Sequence, residues 1–234
     1  MISIVIPVLN EAETIENLLQ HISENALATS VSEIVVVDGG SDDSSREIVD
    51  RFADNSQINV ISVNSKKGRA KQMNVGAKVS TGNILYFLHA DSYPPNGFDS
   101  LIISEVEKGH SAGCFQMKFD SNHPVLRFSQ WFTRFNFKIC RGGDQSLFVT
   151  RNAFDELNGY NESYTIYEDC EFINRIYAKY NFAIISDLLT TSARKYEQHG
   201  TVKLQYHFTV IHIKKMFGAS AENLSQYYQK HIAS

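Results

Sequence analysis

Short apolar runs alternate with amphipathic segments along the first half of the chain. Four of these runs predict strands: Ile2–Val8, Glu33–Val37, Asn59–Val63 and Ile84–Leu88. The first is apolar and rich in β-branched residues, as a strand buried on both faces of a sheet is. Helical periodicity lies between them, from Ile15, over Ser44–Ala53 and over Arg69–Val79. Asn10 and Glu13 predict a capping box at the first helix. This alternation predicts parallel strands that are joined by right-handed crossovers.

The second half of the chain is less regular. Its pattern predicts three strands: Ala112–Phe119, Ser146–Thr150 and Phe182–Ile185. Helices are predicted over the aromatic-rich segment Pro124–Ile139 and over Tyr167–Tyr180. The segment Thr201–Phe217 combines apolar residues with lysines, which is typical of a helix on a membrane surface, of a dimer contact or of a helix docked on its own domain. No repeat or linker divides the chain, so we expect a single α/β domain.

Composition narrows the class of protein. The chain has 234 residues, 43% of them hydrophobic and 21% charged, which is ordinary for a globular protein. The net charge of -4 gives no indication of a nucleic-acid partner. Cys114, Cys140 and Cys170 form no CxxC motif, which favours a reducing compartment over a disulfide framework. Without a signal-peptide pattern or a long apolar run, we expect a cytoplasmic protein, with peripheral membrane contact left open.

Carboxylates recur at the ends of predicted elements. Glu11, Asp38 and Asp91 follow three of the strands. Ligands bind beyond the carboxyl ends of the strands in open α/β sheets, so we expect these side chains near one site. The Asp38-Gly39 turn has two interpretations. Asp38 either closes the turn, or it accepts a hydrogen bond from a ribose hydroxyl or a base beside a backbone that Gly39 leaves open.

The sequence Phe87-Leu88-His89-Ala90-Asp91 predicts a strand that ends in one carboxylate. Asp91 is either a turn residue or a metal ligand, because Mg²⁺ needs only one or two protein carboxylates when substrate phosphates complete its shell. His89 adds a nitrogen ligand of the kind that Mn²⁺ accepts. Strand alternation predicts that His89 and Asp91 share one side.

Two further charged segments have functional interpretations beside ordinary ones. Lys66–Lys71 is either a solvated loop or a segment that presents Arg69 or Lys71 to a diphosphate. Glu168 and Asp169 stand where a helix begins, and acidic side chains are favoured there in any case. In the functional interpretation Asp169 is a general base.

Several motifs in register resemble the inverting family 2 glycosyltransferases, which have the GT-A fold, a Rossmann-like domain whose mostly parallel sheet is flanked by helices. The motifs are SIVIPVLNEAETI, EIVVVDGGSDDSS, GRAKQMNVGA, ILYFLHADSYPP, GDQSLFVTRNAFDELNGYNE and YEDCEF. The resemblance implies a GT-A domain over residues 1–200, with a nucleotide half at about 1–92, an acceptor half at about 93–200 and a C-terminal helical extension at 201–234. HAD in place of DAD, with TSARKYEQHG, resembles the short bacterial transferases associated with selenodomain or radical-SAM proteins.

The resemblance also implies a role for each matching residue. The donor nucleotide would be lined by Pro7, Leu9, Glu11, Asp38, Gly39, Arg69, Asn74, Ala90 and Asp91, with Gln72 in a structural role. The donor sugar and the acceptor would meet a loop and a helix start that contain Gly143, Asp144, Gln145 and Glu168. Asp169 would be the catalytic base, and Arg194 would belong to a loop that closes over the diphosphate. Asp91 would bind Mn²⁺ or Mg²⁺, with His89 or His199 as a further ligand.

The implied activity is transfer of a hexosyl-type sugar, with inversion, from a nucleotide-sugar donor, with UDP favoured, to an acceptor hydroxyl on a sugar, a lipid carrier or a small molecule. The aromatic segment Phe128–Phe135 is either core or a platform for that acceptor. A non-catalytic sugar-nucleotide scaffold is the main alternative, because His89 replaces an acid of the family pattern. A nucleotidyltransferase is less favoured, since Val8–Glu11 stands where such an enzyme needs a glycine-rich basic loop.

Overall fold

The computed structural model of the protein describes residues 1–27 and 29–233. Within that part of the chain, eight strands form one sheet: β1 Ile2–Val8, β2 Val31–Asp38, β3 Val60–Asn64, β4 Ile84–Phe87, β5 Ser92–Tyr93, β6 Ala112–Phe119, β7 Leu147–Thr150 and β8 Phe182–Thr191. Their order across the sheet is β3-β2-β1-β4-β7-β6-β8-β5.

Helices cover both faces of this sheet. Those in the described residues are α1 Ile15–Asn25, α2 Ser45–Ala53, α3 Arg69–Val79, α4 Phe98–Glu107, α5 Pro124–Trp131, α6 Arg151–Glu156, α7 Glu168–Lys179, α8 Arg194–His199, α9 Thr201–Met216 and α10 Ala221–His231. Short 3-10 turns occur at Phe132–Arg134, Lys138–Cys140 and Gly143–Gln145. Among the described residues, no helix is both long and apolar enough to cross a membrane.

The first half of the sheet is parallel, as predicted. β1 pairs in parallel with β2 and with β4, and β2 pairs in parallel with β3. Side chains of β1 alternate between two hydrophobic clusters. Ile4 and Ile6 pack with Leu18 of α1 on one face, and Val5 packs with Met73 of α3 on the other. Because both faces are covered, the strand is apolar except for Ser3, whose buried hydroxyl donates a hydrogen bond to the Glu33 carboxylate.

The second half of the sheet is mixed. β7 runs antiparallel to both β4 and β6, whereas β8 runs parallel to β6. The predicted strand Phe182–Ile185 is too short, because β8 continues to Thr191. The register between β6 and β8 shifts after Phe115, where Ser186 and Asp187 are exposed, and pairing then resumes. These two polar residues end the apolar pattern before the strand itself ends.

The boundaries of two predicted helices are also wrong. Asn10 is not a helix cap: it has a positive φ of 56°, and its side-chain oxygen accepts a hydrogen bond from the Asp42 amide at 3.0 Å. α1 begins only at Ile15. The helix predicted over Pro124–Ile139 ends at Trp131 and gives way to 3-10 turns. Helix α4 was not predicted, although the turn residues Pro94-Pro95-Asn96-Gly97 precede it.

The C-terminal helices α9 and α10 pack on the domain. Leu204 and Ile211 of α9 and Leu224 of α10 are buried in the same hydrophobic cluster as β1. The docked-helix interpretation of Thr201–Phe217 therefore holds for one side of α9. Lys215 also donates a hydrogen bond to the hydroxyl of Tyr164 at 2.5 Å, and this contact joins α9 to the loop before α7.

Gln72 joins the carboxyl ends of the two central parallel strands. Its side-chain amide is buried and donates hydrogen bonds to the carbonyl oxygens of Val8, at 2.8 Å, and Val37, at 2.9 Å. Both carbonyls lie where β1 and β2 leave the sheet, so a side chain of α3 supplies a donor to each strand end, and the Val8 carbonyl also accepts from the Gly39 amide at 2.9 Å. The structural role expected for Gln72 is confirmed.

We predict that Gln72→Met destabilises the protein by about 1–3 kcal/mol, because two buried carbonyls each lose one donor while the side-chain volume is kept. Chemical denaturation gives the free energy of unfolding. Gln20→Met, at an exposed position of α1, is the matched control and is expected to change stability by less than about 0.5 kcal/mol. Equal stability of the two variants would contradict this role of Gln72.

Candidate functional site

The loops that follow β1 and β2 interlock at one edge of the sheet. The Asn10 amide donates to the Ser41 hydroxyl at 2.9 Å, and the Glu11 amide donates to the Ser45 hydroxyl at 2.8 Å. Pro7 is buried at the end of β1 and Leu9 is half-buried beyond it. The structure therefore places Pro7, Leu9 and Glu11 beside the turn after β2, at the edge that the sequence predicts for a ligand.

Asp38 closes the turn after β2. Its carboxylate accepts hydrogen bonds from the amide of Gly40 and from the amide and hydroxyl of Ser41. A Cβ at Gly39 would lie 3.0 Å from the side-chain amide of Gln72. A larger residue at position 39 would therefore press on the Gln72 side chain of α3. A contact of Asp38 or Gly39 with a nucleotide stays a prediction.

Asp91 presents a carboxylate that receives no hydrogen bond from any described residue. Its backbone carbonyl accepts from the Ser192 amide at 3.2 Å, which joins this turn to the end of β8. Burial raises the pKa of Asp91. The nearby charge of His89 lowers this pKa, and the carboxylates of Asp144 and Glu11 raise it. The pKa of Asp91 is raised overall. Its carboxylate is desolvated and lies among other acids, and a cation is favoured in such surroundings.

His89 faces Asp169 from the other half of the chain. Its Nε2 lies 3.7 Å from Asp169 Oδ2, and both side chains are largely buried. Burial lowers the pKa of His89, but attraction by the Asp169 carboxylate outweighs it, so the pKa is raised. Strand alternation predicts that His89 and Asp91 share one side. This prediction is wrong in its premise, because β4 ends at Phe87 and neither residue lies in the strand. The ring of His89 is directed to the predicted base.

The loop at Gly143 covers Asp169. A Cβ at Gly143 would lie 2.1 Å from Asp169 Oδ2 and 3.0 Å from the His89 ring, so only glycine fits. Gln145 supports this loop from its buried side. Its side-chain amide is buried and donates a hydrogen bond to the Cys140 carbonyl at 2.7 Å. Gln145 therefore positions the loop, whereas Asp144 is exposed.

Arg69 joins the nucleotide half to the helix that carries Asp169. Its guanidinium, half-exposed, lies 3.3 Å from Glu168 Oε1. The pKa of Arg69 is raised, since the charges of Glu168 and Asp169 outweigh the opposing effect of burial. Burial raises the pKa of Glu168, although Arg69 lowers it. Glu168 is 2% exposed and its Oε2 has no hydrogen-bond partner among the described residues.

Arg194 reaches the same edge from α8. Its guanidinium donates to Glu11 Oε2 at 3.0 Å. The same oxygen accepts from the Thr14 hydroxyl at 2.9 Å. This hydrogen bond to Glu11 raises the pKa of Arg194, and the charge of Asp91 raises it further. The structure thus brings Arg194, Glu11 and Asp91 together.

Three predicted residues are not brought to this group. Asn74 uses its side-chain amide to bind the backbone of Tyr160, at 2.9 Å in both directions, which ties α3 to the loop before α7. The side chain of Ala90 is buried in the hydrophobic core. His199 ends α8 and forms no hydrogen bond or ion pair with the described residues.

Sequence reasoning missed two buried polar residues near the site. The Tyr160 hydroxyl is buried without a hydrogen-bond partner among the described residues. Burial raises its pKa well above the usual value, and the charges of Asp169 and Glu168 add to this. Arg141 is buried beneath the loop and donates to the Thr133 carbonyl at 2.7 Å. Tyr160 lies within a motif that carries the family resemblance. The sequence pattern around Tyr160 and Arg141, however, does not distinguish these buried residues from exposed ones.

The oxygen ligands at this edge fit a divalent cation only in part. Within residues 1–27 and 29–233, no three His, Cys, Asp or Glu side chains form a metal site by themselves. The Asp91 carboxylate, without a protein donor, is the kind of single hard ligand that suffices when phosphate oxygens supply the rest of the shell. His89 is directed to Asp169 and His199 lies outside the group, so Asp91 is the ligand that the geometry favours.

Comparison with known sequences places this site in a family. The family described as "Glycosyl transferase family 2" matches residues 3–177. Glycosyltransferase AglE of Haloferax volcanii is 36% identical over 96 residues, which is 40% of this chain and 31% of that protein. A PGL/p-HBAD biosynthesis glycosyltransferase of Mycobacterium bovis is 28% identical over 206 residues, 86% of this chain and 78% of the other. The chain thus spans about a third of the first relative and most of the second.

Solved structures share the fold. Staphylococcus aureus TarS 1-349 in complex with UDP superposes with a TM-score of 0.70 at 18% identity, covering 82% of this chain and 60% of that one. Mannosyltransferase PcManGT of Pyrobaculum calidifontis, in complex with GDP-Man and Mn²⁺, gives 0.70 at 20% identity, covering 100% and 64%. The mixed sheet described above is the GT-A fold. With three quarters of its length matched by the family and its acidic residues gathered at the sheet edge, the chain belongs to glycosyl transferase family 2.

Proposed function

We propose that the protein transfers a sugar from a nucleoside-diphosphate donor to an acceptor hydroxyl, with inversion at the anomeric carbon. The observation that carries this proposal is that Asp91 and Asp169, from distant parts of the chain, both lie close enough to His89 to interact with its charge. TarS in complex with UDP and PcManGT in complex with GDP-Man have the same fold, which supports a nucleotide-sugar donor.

Asp169 is the general base of the proposed reaction. Its carboxylate accepts the proton of the acceptor hydroxyl as that oxygen forms a bond to the anomeric carbon. The bond from the anomeric carbon to the diphosphate breaks on the opposite face, which inverts the configuration. His89, 3.7 Å from Asp169, and Gly143, packed on its oxygen, hold the base in one orientation.

Cations at the sheet edge bind the diphosphate in this proposal. Arg194 lies near Asp91 and is paired with Glu11. An incoming diphosphate would replace the Glu11 carboxylate as the partner of Arg194. Arg69 stays with Glu168, which keeps a positive charge beside the helix that carries the base. A divalent cation bound by Asp91 would neutralise charge that develops on the leaving diphosphate.

The first experiment on function measures release of nucleoside diphosphate from UDP-Glc, UDP-GlcNAc and GDP-Man in the presence of Mn²⁺. Turnover with one donor supports the transferase. Nucleotide binding without turnover of any donor would instead favour the non-catalytic scaffold, for which His89 in place of an acid is the motivating observation.

Asp169→Asn is expected to reduce kcat by at least about 10²–10⁴-fold, because the amide cannot accept the acceptor proton. The affinity for UDP should stay close to that of the wild type, since Asp169 is not proposed to touch the nucleotide. Steady-state kinetics and calorimetry measure the two effects. Asp155→Asn, at an exposed position of α6, is the matched control, and equal turnover in the two variants would refute the base.

Asp91→Asn is expected to remove the effect of Mn²⁺ on UDP binding. In the wild type, UDP with Mn²⁺ at about 100 times the dissociation constant should stabilise the fold by about 2.7 kcal/mol. The raised pKa of Asp91 means that this Mn²⁺ dependence is present above that pKa and declines as pH falls through it. Thermal unfolding with and without Mn²⁺ provides the measurement, and undiminished Mn²⁺ dependence in the variant would exclude Asp91 as the ligand.

Gly143→Ala is expected to lower turnover by about 10²-fold, because the new methyl group must displace either the loop or the Asp169 carboxylate. UDP affinity should change little. Gly142→Ala is the control, since a Cβ there meets nothing within 4 Å. If the two alanine variants turn over donor equally, the close packing of this loop on the base has no catalytic role.

A further inference from the structure

A chain of aromatic side chains is exposed on the surface between β6 and the loop over Asp169. Phe128 packs edge-on against Phe132, with ring centroids 5.1 Å apart, and Trp131 contacts Phe132 at 5.3 Å and Phe135 at 4.8 Å. Phe135 stacks on Phe137 at 6.5 Å. The rings therefore form one continuous apolar strip, which lies outside the hydrophobic core.

Most of this strip is in contact with solvent. Phe128 is 67% exposed, Phe137 64% and Ile139 64%. Trp131 is 45% exposed. The alternative that Phe128–Phe135 is core is thus wrong for Phe128, Trp131 and Phe132. Large apolar patches that remain exposed on a folded protein mark sites of interaction with another protein or with a membrane.

The same segment is basic. Arg127, Arg134 and Lys138 are exposed along the strip, and the guanidinium of Arg134 lies 5.1 Å from the centre of the Trp131 ring. We call the exposed aromatic residues, Ile139 and these three cations the aromatic surface. It contains no carboxylate, because the chain has no acidic residue from 121 to 143.

Helix α9 packs beside α5 and has exposed apolar residues of its own. Its buried residues, Leu204 and Ile211, lie on the side opposite to Val202, Tyr206 and Ile213, which are exposed. Residues 198–221 also lack acidic side chains. Together with residues 121–143 they hold seven of the 22 Lys and Arg residues and none of the 26 Asp and Glu. The remainder of the chain is therefore more acidic than the net charge of -4 suggests.

We propose that the aromatic surface binds the headgroup region of an anionic phospholipid bilayer. Trp and Phe enter the interface with lipid, while Arg and Lys pair with the phosphates of anionic lipids. A second copy of the chain fits less well, because a symmetric interface would place the cations of this surface opposite the same cations. The surface ends at Ile139, just before the loop at Gly143, so bilayer binding holds that loop close to the membrane.

The test is flotation of the full chain with vesicles of phosphatidylcholine alone and with vesicles that also contain phosphatidylglycerol. The wild type should float only with the anionic vesicles, and less so as salt screens the charges. Arg127→Gln, Arg134→Gln and Lys138→Gln together should weaken binding by roughly 100-fold, about fivefold for each charge. Lys66→Gln, Lys78→Gln and Lys108→Gln together remove the same charge from other exposed positions and should float as the wild type does.

The apolar contribution is tested separately. Phe128→Ser with Phe137→Ser should weaken binding to anionic vesicles, whereas Val79→Ser, an exposed apolar position on α3, should not. Circular dichroism and the thermal midpoint establish that the variants are folded, as expected for exposed positions.

Three results would overturn the proposal. One is failure of the wild type to float with anionic vesicles. The second is equal loss of binding in the two charge variants, which would show that net charge alone drives the adsorption. The third is a dimer in sedimentation equilibrium that Phe128→Ser with Phe137→Ser dissociates, in a protein that binds no vesicle, which would assign the surface to a second copy of the chain.

Discussion

Negative charge is crowded at one edge of the sheet, and the rest of the site has to compensate for it. Glu11, Asp91, Asp144, Glu168 and Asp169 lie close enough to perturb one another or their shared neighbours. Carboxylates at such distances repel, and burial makes the repulsion stronger. A fold that gathers them has to supply positive charge at the same place.

Three side chains supply that charge, and each comes from a different element. Arg69 pairs with Glu168, His89 faces Asp169 and Arg194 pairs with Glu11. Asp91 is the acid that these pairs leave without a hydrogen-bond donor among the described residues. The negative charge of Asp91 therefore has no direct partner among the described residues. This supports a cation and a diphosphate as the ligands of this edge.

The mixed half of the sheet is what makes these pairs possible. β7 lies antiparallel between β4 and β6, and the loop that precedes it places Gly143 on the Asp169 carboxylate. β8 continues past its apolar part to pair with the short strand β5, so that Arg194 follows directly beside the Asp91 turn. Close contacts without spare volume, at Gly39 and Gly143, then hold the loops against the sheet.

The C-terminal helices are part of the same arrangement. Tyr167, which precedes Glu168, contacts the ring of His212 in α9 at 5.1 Å. The Thr165 hydroxyl bonds that of Ser225 in α10 at 2.9 Å. Residues 201–233 therefore brace the segment that leads to Asp169, the proposed base, and they pack as part of the domain.

The sequence by itself determined the parallel half of the sheet, the strand ends that carry Glu11, Asp38 and Asp91, and the start of the helix at Glu168, because these features depend on local periodicity and on end-of-strand polarity. Only the tertiary structure decided that Asn10 locks two loops instead of capping a helix, that β8 extends to Thr191 and that His89 faces Asp169. Each of these depends on a partner far away in the chain, and a local pattern contains no information about that partner.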